Sequence, residues 1–271
     1  MRGRNVIGAA FAWIWLAVIL LPIYYMVITS LRTTGDYFES NSLLPSRNPT
    51  LAAFADVFAN DFGRYLFNSA VVTVAAVGIL LAVAVMASYA LVRNHSWASQ
   101  RVFQLILLGL AIPAQATIVP LYYMMTKLGL YDTLLALILP SVGFGIPITV
   151  LILTNFIRDI PKELFESMTV DGAGNWRVLG RLVLPLSKPA IVTVGIYEAL
   201  QVWNGFLFPL VLTGSTEVRV LPYSLFSFQS EHGVNTPAIL ASVVLSALPV
   251  LAAYVVGRRQ LVAGLTAGFG K

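Results

Sequence analysis

The sequence predicts an all-α, polytopic membrane protein of six spanning helices, and three observations carry that reading. Hydrophobic residues make up 58% of the 271 and charged residues only 11%, against roughly 25% charged in a soluble domain. A water-exposed globule of this size could not be covered by so few polar groups. The charged residues also divide the chain into apolar segments, each near the ~20 residues that a membrane helix needs. Finally, twelve of the 17 Lys and Arg fall on one side of the membrane when alternate loops are summed.

Taken in order, the segments are 7–31, 66–92, 102–126, 133–157, 190–213 and 237–257. The first follows Arg2 and Arg4; it is too long for a signal-peptide core and lacks a cleavage site, so it reads as a retained helix. The second lies between Arg64 and Arg93, the third between Arg101 and Lys127, and the fourth between Asp132 and Arg158. The fifth follows Lys188 and the sixth runs from His232 to Arg258. Pro22, Pro113, Pro120, Pro147, Pro209 and Pro249 fall inside these segments. Kinks are expected there, because neighbouring membrane helices can satisfy the freed backbone groups. Without an internal repeat, residues 1–271 read as one membrane domain.

The side richer in bases carries Arg2, Arg4, Arg93, Arg101, Arg158, Lys162, Arg177, Arg181, Lys188, Arg258, Arg259 and Lys271. By the positive-inside rule that side is cytoplasmic, and both termini lie there. The bases are dispersed between apolar stretches rather than gathered in a tract, which argues against nucleic acid and for membrane flanks. No cysteine is present, and His95 and His232 stand far apart, so thiol and metal chemistry have no obvious residues. Gly270-Lys271 lacks the earlier glycine and following Ser or Thr of a phosphate loop, so nucleotide binding falls to another chain.

Two hydrophilic stretches exceed simple turns: 32–64 outside and 158–189 inside. The inner one reads as helix, turn, helix. Pro161 opens a short helix whose acids, Glu163 and Glu166, suit the positive end of its dipole, and Asp171-Gly172 supplies the turn. Phe165 and Met168, at i and i+3, are expected to form an apolar ridge that a partner covers.

At this segment the sequence resembles the membrane subunits of binding-protein-dependent ABC importers, which carry a loop of form Glu-Ala-Ala, a short gap, Asp-Gly, nine residues, Ile-x-Leu-Pro. Here Glu166 is followed by Asp171-Gly172, nine residues from Ala173 to Arg181, then Leu182-Val-Leu184-Pro185. Ser167 and Met168 depart from the two alanines. Further pieces are similar to carbohydrate-importer permeases, the family of the maltose transporter's smaller membrane subunit. They are Leu21-Pro22 with Thr29-Ser30-Leu31, Asn68-Ser69, Pro120-Leu-Tyr122 with Leu128-Gly-Leu130-Tyr-Asp-Thr133, Trp203-Asn204-Gly-Phe-Leu-Phe208-Pro209 and Arg258-Arg259 through Gly268.

The resemblance implies a type I ABC importer fold in a bacterial inner membrane, with 158–189 as the coupling loop. It implies a second homologous permease, a cytoplasmic ATPase dimer that holds ATP and Mg, an extracytoplasmic sugar-binding protein and a di- or oligosaccharide as substrate. It also implies a second contact between the tail from Gly264 to Lys271 and the ATPase. No cofactor belongs to this chain.

Glu198 is the one acid inside a spanning segment, and such a residue is a functional-site hypothesis by default. At about 100° per residue, Tyr197, Glu198, Gln201, Asn204 and Phe208 share one arc of a helix, with Trp203 facing away. That face could line a sugar pathway, or its polar groups could bond between helices. An ion-coupled secondary transporter is the alternative reading, since intramembrane carboxylates couple ion flow.

Overall fold

The computed structural model describes residues 6–94, 96–230 and 233–267, with side-chain surroundings from 8 to 255 within that range. The tail expected to touch the ATPase falls outside it, except for a helical end at 264–267, as do Arg2, Arg4, His95 and His232. The described chain packs as two compact units. The first takes the residues up to Leu66 with Tyr223–Leu251, and the second takes Phe67–Pro222 with the residues from Ala252.

Among the described residues five helices are long and apolar enough to span a bilayer, or six where one sharply bent pair counts as a single span. Helix α1 covers Val6–Ser30. Two short helices, α2 (Thr34–Glu39) and α3 (Ala52–Ala59), occupy the outer stretch before α4 (Phe62–Arg93). The third span consists of α5 (Trp97–Leu108), 3₁₀ turns at Gly109–Ala111 and Ala114–Thr117, and α6 (Ile118–Lys127), bent by 93° at the break. The continuous helix expected over 102–126 is therefore not formed. Pro113 has no N–H and forces Ile112 out of the helical region, so both residues are extended, with ψ of 109° for Ile112 and 131° for Pro113.

Helix α7 (Leu135–Arg158) keeps Pro140 and Pro147 inside it. Gly109 lies so close to α7 that a Cβ there would stand 2.7 Å from Pro147 Cγ. After α8 (Lys162–Val170), the turn at Gly172 takes φ +72°, which glycine adopts without penalty. The helix expected after this turn does not stop before the fifth span but continues into it. Helix α9 (Asn175–Val178) passes through a π turn, Leu179–Val183, straight into α10 (Leu184–Trp203), giving one 29-residue rod. The rod crosses Pro185 and Pro189. Pro185 has no N–H to offer Arg181, and the wider π turn just before it absorbs the missing bond.

The rod stops at Asn204, and α11 (Leu207–Leu212) is a separate short helix, so the fifth span does not run through 190–213. Helix α12 (Leu221–Ser224) and a 3₁₀ turn, Leu225–Phe228, lead to a two-residue antiparallel pair, β1 (Gln229–Ser230) with β2 (Gly233–Val234). Helix α13 (Thr236–Ala267) follows, its first turn capped by Asn235 Oδ1, which accepts from the Ala238 amide at 3.2 Å.

In the first unit the outer stretch is organised around a buried arginine. Arg32, 1% exposed, donates to Ser40 Oγ at 3.0 Å and to the carbonyls of Asn41 and Leu44, with Asp36 3.9 Å from Nε. Burying a guanidinium is costly unless its donors are used, so these acceptors fold residues 33–44 over the end of α1.

The second unit has two apolar cores. One gathers Tyr89, Val150, Leu153, Ile157, Phe165, Leu179 and Val183, and the other Val72, Leu80, Leu121, Leu137, Leu212 and Val220.

Candidate functional site

Two features of the second unit hold the residues that the sequence singles out. The first is the loop around α8. Phe165 is 5% exposed and belongs to the first core, with the Arg93 guanidinium 5.4 Å from its ring centre, while Met168 packs against the same cluster. The expected outward ridge of Phe165 and Met168 therefore points into the chain itself. Helical periodicity shows which residues share a face but not whether that face meets the rest of the fold.

What α8 and the turn after it leave exposed is different: Val170 at 87% and Trp176 at 76%, on either side of Gly172, with Leu164 at 40%. Glu163, Glu166 and Asp171 are exposed beside them. Leu182 is half-buried on the π turn, and Leu184 and Pro185 are exposed at the start of α10.

The second feature is a cavity of about 360 Å³ bounded by α4, α7, α10 and α11. Tyr197, Glu198, Gln201 and Phe208 line it, joined by Ser69, Gln115, Ser141 and Phe144. Trp203 also lines it, whereas Asn204 does not, reversing the places that one uninterrupted helix would give them. The helix ends at Asn204, whose side chain turns back to donate to the Leu200 carbonyl at 2.8 Å. Phe208 reaches the cavity from α11, its ring centre 5.5 Å from that of Phe144.

Glu198 is buried, and Thr149 Oγ1 donates to its Oε1 at 3.4 Å. The carboxylate occupies a notch at Gly145, where a Cβ would stand 2.5 Å from Leu80 Cδ2 and 3.1 Å from Glu198 Oε2. Among the described residues no cation forms an ion pair with it. Its free lone pairs can accept hydroxyl donors in the cavity.

The sequence singles out Asn68-Ser69 and Leu128–Thr133 without giving them a role. Asn68 Nδ2 donates to the carbonyls of Glu217 and Arg219, both at 2.8 Å, and Ser69 Oγ accepts from the Leu221 amide at 2.8 Å. Asp132, at φ +60°, donates its own amide to the Leu212 carbonyl at 3.0 Å. Its Oδ1 accepts from the amides of Gly214 at 2.9 Å and Ser215 at 3.0 Å. Burial opposes ionisation of Asp132, but the Ser215 and Gly214 amides, the Ser215 hydroxyl and the Arg219 charge together hold its carboxyl below the ordinary value. Gly214 and Ser215 lie 82 and 83 positions away, so only the fold reveals them.

The fold is shared with the crystal structure of a bacterial ABC transporter involved in the import of the acidic polysaccharide alginate. The TM-score is 0.81 at 22% identity, covering 94% of this chain and 95% of that one. An ABC transporter permease protein of Caldicellulosiruptor sp. is 38% identical over 95% of this chain and 94% of its own length. The diacetylchitobiose uptake system permease protein NgcG of Streptomyces coelicolor is 29% identical over 97% and 87%. Residues 75–262, which include α8, the 29-residue rod and nearly all of the cavity lining, match the model of the binding-protein-dependent transport system inner membrane component. By that match and the 38% identity, the chain belongs to the family of binding-protein-dependent transport system inner membrane components.

Proposed function

We propose that this chain is the permease subunit of an ATP-driven importer for a di- or oligosaccharide, and that the cavity beside Glu198 is its part of the pathway. The observation that carries this reading is the cavity's mixed lining. The rings of Phe144, Tyr197 and Phe208 meet the hydrogen-bonding groups of Ser69, Glu198 and Gln201. A sugar offers apolar C–H faces and hydroxyls in the same molecule, so it needs both kinds of contact. The relative named for diacetylchitobiose uptake agrees in substrate class.

The drive comes from a separate ATPase dimer that carries ATP and Mg. That dimer docks on Val170 and Trp176 around the Gly172 turn, with Glu163, Glu166 and Asp171 at the rim. Phe165 keys α8 into the core that also holds Tyr89, Val150 and Ile157, so movement of α8 is passed to the ends of α4 and α7. Trp176 and Glu198 are on one rod, at about 1.5 Å per residue some 33 Å apart. Closure of the ATPase therefore displaces the cavity wall directly. A second homologous permease supplies the other half of the pathway, and an extracytoplasmic binding protein delivers the sugar.

The test is uptake by the reconstituted transporter, using diacetylchitobiose and any sugar that raises the melting temperature of the cognate binding protein. Glu198→Ala combined with Gln201→Ala is expected to lower uptake about tenfold or more, with ATPase co-purification intact. Unchanged rate and sugar range would mean that these groups only hold the bundle together. Uptake that persists without the ATPase would remove the ATP drive.

A further inference from the structure

We infer that Asp132 is a positioning residue for the cavity wall: it clamps the end of α11, and with it Phe208, against the loop between α6 and α7. The inference rests on the cavity being the pathway and adds a residue outside it. Asp132 does not line the cavity. It acts on the helix that does.

The clamp consists of three hydrogen bonds to consecutive stretches of backbone. The Asp132 amide satisfies the carbonyl of Leu212, the last residue of α11, while Oδ1 takes the amides of Gly214 and Ser215 just beyond it. Helix α11 has only six residues, too few to hold itself together without its ends being satisfied. It is also cut off from the rod by Asn204 and Gly205, so its direction is not inherited from α10. The other anchor at this end is apolar: Leu212, 1% exposed, sits in the core with Leu121, Met125 and Leu137.

The geometry on Asp132's own side is specific to this task. A positive φ is uncommon outside glycine, and aspartate is among the residues that tolerate it; here it turns the amide and the carboxylate toward the same target. Tyr131 extends the contact, since a Cβ on Gly214 would stand 3.1 Å from its hydroxyl oxygen. Tyr131 in turn meets Tyr122 of α6 edge to face, at 5.3 Å between centres. From Asp132 the path to the cavity is short: Leu212 to Phe208 is one helical turn, and Phe208 contacts Phe144. Loss of the carboxylate removes the acceptor that the two amides share and frees α11 to swing Phe208.

The absence of cysteine from the sequence makes a direct test available. Phe208→Cys and, on a separate background, Tyr197→Cys are introduced into the assembled transporter, each with Asp132 intact, Asp132→Ala or Asp132→Asn. The measurement is the rate of reaction with a membrane-impermeant maleimide. With Asp132→Ala the rate at position 208 is expected to change at least about tenfold, the factor set by losing even one of the two charge-assisted hydrogen bonds that the carboxylate accepts. The rate at 197 should stay as it was, and Asp132→Asn should restore most of the original rate at 208, because its amide oxygen still accepts.

Equal rates at 208 with and without Asp132 would overturn the inference. So would equal changes at 197 and 208, which report general loosening. A failure of the pathway reading is seen separately, as unchanged uptake by Phe208→Ala, and would leave the clamp with no pathway to position.

Discussion

Phe165 and Trp176 show how burial reassigns roles at the residue scale. Both are aromatic and lie in the same loop, but one is 5% exposed and the other 76%. Truncating a buried phenylalanine costs about 3–5 kcal/mol, so Phe165→Ala is expected to lower the yield of folded protein and its thermal midpoint. Trp176→Ala should leave that midpoint unchanged and weaken ATPase co-purification, on the scale of ~2 kcal/mol for an aromatic anchor. Midpoints from detergent-solubilised protein and pull-down yields check the pair together; matching behaviour of the two variants would contradict the assignment. Asp132 gives a pH prediction. Its folded pKa lies below the ordinary 3.8, so its contribution is complete above that value and is lost as pH falls through the lower folded one. Asp132→Asn should flatten the dependence of the thermal midpoint on pH in that acid window, and an unchanged profile would count against the clamp.

At the scale of elements, the rod from Asn175 to Trp203 and the notch at Gly145 set what can move. The rod joins the proposed docking surface to the cavity as one continuous run of helix, while α7 packs on it closely enough that Gly145 cannot accept a side chain without displacing Leu80 or Glu198. Gly145→Leu is expected to cost about 1–3 kcal/mol by overpacking and to reduce uptake, because Glu198 must leave the notch. Thermal midpoint and uptake, read together with Gly143→Leu, check this: beyond its own stretch of α7, nothing lies within 4 Å of a Cβ at Gly143, so that change should be well tolerated.

For the whole molecule, the charge asymmetry predicts α8 and both termini in the cytoplasm and residues 32–64 outside. Single substitutions Asn48→Cys and Ser167→Cys in the cysteine-free chain test this in intact cells. An impermeant maleimide should label position 48 at once and position 167 only after the membrane is opened. The reverse pattern would invert the topology, and with it the side on which the ATPase docks.

Local composition and spacing are enough to specify part of this protein. The apolar segments, the flanking charges and the Glu166, Asp171-Gly172, Pro185 spacing need no knowledge of neighbours, so the helical membrane fold and the family were legible from them. Glu198 was legible for the same reason, since one acid in an apolar run stands out whatever surrounds it. Which faces the helices turn inward was left to packing. Packing buried Phe165 and exposed Trp176, carried the rod through Pro185 and Pro189 although Pro113 breaks the third span, and put Trp203 rather than Asn204 in the cavity. It also joined Asp132 to Gly214 and Asn68 to Glu217. Such outcomes depend on contacts and hydrogen bonds between residues far apart in the chain, where a proline's missing bond or a carboxylate's free lone pair is settled by whatever the fold brings beside it.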